Sequence, residues 1–71
     1  MNVEKIGYYA GSVWVALDTA NVLGVKQLKK ITKLKDKELF AALGWLAREN
    51  KITIAQDPED EKELLITLVQ E

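Results

Sequence analysis

Between residues 3 and 20, apolar side chains return every three or four positions, at Val3, Ile6, Ala10, Val13, Leu17 and Ala20. That spacing lines one face of a helix and predicts a first helix over residues 2–20, buried along a broad stripe. Asn2 offers an N-cap acceptor to a free backbone N–H of the first turn, and Glu4 suits the positive end of the helix dipole. Gly7 and Gly11 each weaken a helix by about 0.5–1 kcal/mol relative to alanine. Four residues apart on one helix, they predict close approach of another backbone.

The next segment, NVLGV at residues 21–25, is too short and too glycine-marked to extend the helix, so a short extended connector or edge strand is expected. A second helix follows over about 26–33, with only Leu28 and Ile31 apolar. After a brief turn, a third helix is predicted from Asp36 to Glu49, with Leu39, Phe40, Leu43, Leu46 and Ala47 on its inner face and Asn50 in a left-handed C′ position. Leu39, Phe40, Leu43 and Leu46 are the expected core anchors, each worth roughly 1.5–3 kcal/mol when buried.

The period then changes. KITIAQ (51–56) and ELLITLV (63–69) alternate or run apolar with β-branched residues, as strands do, and DPEDEK between them carries the turn. The expected fold class is α+β: three helices, a short extended piece before the second, and a closing antiparallel hairpin.

This is the element order of a winged helix-turn-helix, and LFAALGWLARENKITI (39–54) sharpens the match. That stretch resembles small bacterial winged helix-turn-helix proteins without an assigned function, in which a segment similar to ALGWLARE runs straight into a wing strand. The resemblance implies a single domain over 1–71, a recognition role for the third helix, a wing made by the hairpin, and association with DNA in a transcription-related regulator. Two positions depart from the usual pattern. Lys33 or Leu34 stands where glycine is common in the turn, and Lys35 or Asp36 stands where serine or threonine caps the third helix. If Lys35 is the cap it supplies no acceptor, but Glu38 then occupies the favourable third position.

Composition narrows the function classes. Seventy-one residues make one domain at most. The chain has neither cysteine nor histidine, which excludes disulfides and thiolate zinc sites and removes the commonest general base. No glycine-rich phosphate loop is present, so no enzyme activity, cofactor or small-molecule substrate is expected. No stretch is apolar over a membrane-spanning length, so a cytoplasmic location and no membrane partner are expected.

The net charge of −1 conceals a run of six lysines in residues 26–37. Lys26, Lys29, Lys30 and Lys33 share one helical face, with Lys35 and Lys37 beyond it, where a helix-turn-helix would meet phosphates. A solvated helix surface would use lysine equally well. On the third helix the positions read as outward are Lys37, Glu38, Ala41, Ala42, Trp45, Arg48 and Glu49, with Ala41, Trp45 and Arg48 as contact candidates. Only Arg48 has base-reading chemistry, so binding is expected to be phosphate-directed. Asp57, Glu59, Asp60, Glu61 and Glu63 would repel DNA and should point away from it. They lack the spacing and central glycine of a calcium loop, and no metal site is expected.

Trp45 is expected opposite Leu39, Leu43 and Leu46, and Tyr8 and Val15 lie off the main stripe of the first helix with Gly11 between them. Tyr8, Gly11, Val15 and Trp45 are therefore candidates for a homodimer or partner interface. The alternative is that Trp45 tucks against the hairpin and the glycines accommodate the chain's own helices. Two readings stay open: a weakly binding DNA-associated dimer, and a protein-interaction module with no nucleic-acid role.

Overall fold

A computed structural model describes residues 1–69. It contains helices α1 (Val3–Ala20), α2 (Val25–Thr32) and α3 (Asp36–Arg48), and strands β1 (Val22–Gly24), β2 (Ile52–Asp57) and β3 (Asp60–Leu68). The strands form one antiparallel sheet in the order β1-β3-β2. The three helices and the hairpin therefore stand as expected, and the short extended piece is a true edge strand. Its Leu23 pairs with Ile66, which also pairs with Ile54 of β2.

The core lies where the helices meet the inner sheet face. Val13, Leu17, Leu28, Leu39, Ala42 and Ile66 are fully buried, and Leu23, Leu43, Leu46, Ile52 and Leu68 nearly so. On β3 the buried residues are Ile66 and Leu68, two positions apart, as the period of a strand requires.

Several expectations need correction. Val3 and Ala20 lie in water, and Ala16 completes the α1 stripe instead. Phe40 is 50% exposed and Ala47 is also exposed, whereas Ala42, read as outward, is buried. The reason is angular: Phe40 follows Leu39 by one residue, hence about 100° around the helix, so the two cannot both face the core centre. Ile31 at the end of α2 is exposed, leaving Leu28 as that helix's buried anchor.

The hairpin loop is much shorter than predicted. Asp57 pairs with Asp60 across Pro58 and Glu59, so Asp60–Lys62 belong to β3. The ladder resumes only at Gln56 opposite Leu64, so Glu61, Lys62 and Glu63 bulge out. Carbonyls freed by this bulge would be left without partners. The Gln56 amide donates to the carbonyls of Asp60 and Glu63 at 3.2 and 3.1 Å, and to that of Glu61 between them. One side chain thus fastens the irregular segment.

Candidate nucleic-acid interface

The helix-turn-helix is built from α2, the link Lys33–Lys35, and α3. Helix α2 ends on Lys33, which takes the left-handed conformation with φ 60° and donates its backbone N–H to the Lys29 carbonyl at 2.9 Å. The usual glycine position is thus filled by a lysine, at a conformational cost of about 1–2 kcal/mol. Lys35 is extended and precedes α3 as its N-cap. It has no side-chain acceptor, but its own N–H donates to Glu38 Oε1 at 2.8 Å. Only the reciprocal half of a capping box is therefore made. At the far end Asn50 is left-handed, with Lys51 N–H to Leu46 O at 2.9 Å and Asn50 N–H to Ala47 O at 3.1 Å. This is the Schellman closure expected at a helix C-terminus.

The start of α2 is closed from a distance. Val25 N–H donates to Glu63 Oε1 at 3.1 Å and Lys26 N–H to Oε2 at 3.4 Å, across almost forty residues of sequence. The carboxylate lies at the positive end of the helix, where it is favoured. A Cβ on Gly24 would stand 2.9 Å from Glu63 Oε2, so only glycine leaves the carboxylate its place. Nothing local in the sequence marks this contact, because the bulge that turns Glu63 inward is a product of the sheet.

The acids around the lysine run are engaged one by one. Asp36 pairs with Lys29, Asp60 lies 4.0 Å from Lys26, and Glu63 caps α2. Glu38 is turned toward α1. Its carboxyl is held below the ordinary glutamate value, chiefly by the Lys35 N–H, against a smaller opposing effect of desolvation. A hydrogen bond from Tyr9 and the charges of Lys35 and Lys37 add to the lowering. The Tyr9 phenol is raised in turn, first by that hydrogen bond, then by desolvation and the carboxylate charge.

Among the described residues, Lys30, Lys33, Lys35, Lys37 and Arg48 form no ion pair with a carboxylate. The four lysines follow one another from the end of α2, through the turn, into the first turn of α3. Of the six lysines considered from sequence, Lys26 and Lys29 are therefore the two in ion pairs, while Lys35 and Lys37 lie close enough to Glu38 for their charge to act on it. Ala41 is half-buried and Arg48 exposed.

Trp45 is 37% exposed and lies on a flank rather than opposite the core. A methyl group at Gly7 would sit 3.6 Å from its Cζ2, an ordinary contact distance, so the ring packs beside Gly7 without requiring glycine there. The first of the two glycines thus faces the chain's own α3, through the Trp45 side chain. Gly11 does not, since nothing lies within 4 Å of where its Cβ would be. Tyr8 and Val15 beside it are 78% and 61% exposed.

The winged helix-turn-helix family DUF2582 matches residues 1–68. Among solved structures, protein BT2368 from Bacteroides thetaiotaomicron is 32% identical with a TM-score of 0.80, the alignment covering 96% of this chain and 79% of that one. The PcaV transcriptional regulator from Streptomyces coelicolor is similar at 20% identity and TM-score 0.81, over 86% of this chain and 45% of its own. BpsR of Bordetella bronchiseptica is similar at 19% identity and TM-score 0.79, over 97% of this chain and 52% of its own. The chain thus spans about half the length of each of those two proteins. None of the curated proteins matches it. Residues 1–68, with three helices and a three-stranded antiparallel sheet in winged-helix order, belong to the winged helix-turn-helix family DUF2582.

Proposed function

We propose that this chain is a cytoplasmic, non-enzymatic DNA-associated protein of the regulator type, binding mainly through phosphates. The observation that carries the reading is the unpaired series Lys30, Lys33, Lys35 and Lys37 along the helix-turn-helix, in a molecule that engages the neighbouring acids elsewhere. In helix-turn-helix complexes the helix before the recognition helix crosses the phosphate backbone and the recognition helix enters the major groove by its N-terminal residues. Lysine supplies point charge there and fixes position rather than sequence. Structural similarity to PcaV, a transcriptional regulator, and to BpsR, whose DNA binding is regulated by 6-hydroxynicotinic acid, supports the same direction.

The test is binding to duplex DNA as salt is raised. About four phosphate contacts give a slope of log K against log salt near −3.6, so affinity should fall roughly 150-fold between 50 and 200 mM salt. Absence of binding at the lowest salt removes the reading.

A second reading is favoured by a separate observation. Tyr8, the open Gly11 and Val15 adjoin a groove of about 490 Å³ between α1 and α2, whose lining includes Val15, Ala16 and Ile31. Self-association through this face would cover apolar area that a chain of this size leaves in water. Trp45 contributes less to such an interface, because its ring already rests on Gly7. Sedimentation should show a dimer that Val15→Asp converts to monomer; a monomeric native protein at high concentration excludes it.

A further inference from the structure

One apolar side chain stands out on the face that the proposed function turns toward DNA. On α3, Lys37, Phe40, Ala41, Gly44 and Arg48 follow at i, i+3, i+4, i+7 and i+11, away from the buried Leu39, Ala42 and Leu46. Phe40 leaves half of its area in water, the most of any aromatic residue after Tyr8. Lys37 and Arg48 lie at the two ends of this face and form no ion pair among the described residues, and Asp36 and Glu38, which share the first turn, are engaged with Lys29 and, for Glu38, chiefly with the Lys35 N–H and Tyr9. The charge of the face therefore complements a polyanion.

Its hydrogen-bonding inventory does not suit base recognition by polar contact. Between Lys37 and Arg48 it presents Phe40, Ala41 and Gly44, with no asparagine, glutamine or arginine to pair with a base edge. The major groove displays one apolar feature, the C5-methyl group of thymine, and alanine and phenylalanine are among the side chains that contact it. Gly44 leaves the approach open, since no protein atom lies within 4 Å of where its Cβ would be.

We infer that Phe40, with Ala41 beside it, reads the thymine methyl in the major groove, giving this helix a preference for thymine made by apolar contact. The inference rests on the DNA-binding reading above and deepens it: the lysines hold the backbone, and Phe40 selects among sequences. Tyr8 and Val15, which are more exposed than Phe40, lie on α1 and not on this face.

The experiment compares affinity for a short alternating dA–dT duplex with that for the same duplex carrying deoxyuridine in place of thymidine, which removes only the methyl group. The native protein should bind the thymidine duplex more tightly by roughly four-fold for each methyl contacted. Phe40→Ala should bind both duplexes alike, and Phe40→Leu should keep much of the preference. Because Phe40 is half-exposed, the alanine variant should remain folded, which its urea midpoint checks. Equal binding of both duplexes by the native protein overturns the inference. So does a preference that survives Phe40→Ala. Failure to bind either duplex at low salt instead removes the DNA reading itself, so the two failures are distinguishable.

Discussion

The helix-turn-helix and the wing are both crowded with charge, yet they use it differently. The acids of the wing are largely turned to folding: Glu63 caps α2, Asp60 approaches Lys26, and Asp57 accepts the Glu59 N–H at 2.8 Å to hold the turn. The lysines of the helix-turn-helix are mostly left over. Lys30, Lys33, Lys35 and Lys37 form no ion pair among the described residues, and Lys33 takes a strained left-handed backbone where glycine would be easier. Acids that complete a backbone explain themselves. Cations without an internal partner invite an external one.

This contrast can be broken from the wing side first. Glu63→Ala removes the distant cap of α2 and should cost about 1 kcal/mol, within the range of 0.5–2 found for helix caps. A lowered urea midpoint measures it. Gly24→Ala displaces the same carboxylate, so the two changes together should cost less than their sum. Full additivity would show that Glu63 does not act through α2.

From the lysine side, Lys33→Gly relieves the left-handed backbone while loosening the unfolded chain, and should stabilise by roughly 0.5–1 kcal/mol. The same change should reduce the salt slope of DNA binding by about 0.9 if Lys33 meets a phosphate. A gain in stability with an unchanged slope would mark Lys33 as a conformational accident.

Gly11→Ala sharpens the second reading. With open space around it, the substitution should stabilise a monomer by about 0.5–1 kcal/mol through helix propensity. If a second copy packs closely on Gly11, the same methyl should weaken the dimer in sedimentation.

The smallest effect concerns Glu38. Its folded-state carboxyl is depressed, so its contribution is complete above the ordinary value of about 4.3 and disappears as pH falls through the lower folded value. Glu38→Gln should therefore flatten the acid side of the stability–pH curve below about pH 4.3. An unaltered acid limb would contradict the Lys35 and Tyr9 contacts.

Local pattern made much of the fold legible. The α1 stripe, the leucines of α3, the left-handed Asn50 and the strand-like final third all follow from spacing and turn chemistry. Phe40 has the apolar character of a core residue but stands about 100° from Leu39, and that angle leaves it half in water. DPEDEK has turn composition throughout, and only the Gln56-fastened bulge lets Asp60–Lys62 join a strand. The Glu63 cap and the packing of Trp45 beside Gly7 are contacts between distant segments, for which one sequence carries no periodic signal. For the candidate site, the lysine run was visible at once. Which lysines enter ion pairs depends on where Asp36 and Asp60 fall in three dimensions.

The central claim is that the unpaired lysines, rather than the whole basic run, meet the DNA backbone. The direct measurement is the salt dependence of duplex binding for two variants: Lys30, Lys33, Lys35 and Lys37 replaced together by glutamine, and Lys26 with Lys29 replaced likewise. The first should flatten a native slope of about −3.6 toward zero, and the second should leave it nearly unchanged. A slope that survives loss of the four lysines, or that falls equally in both variants, would contradict the account.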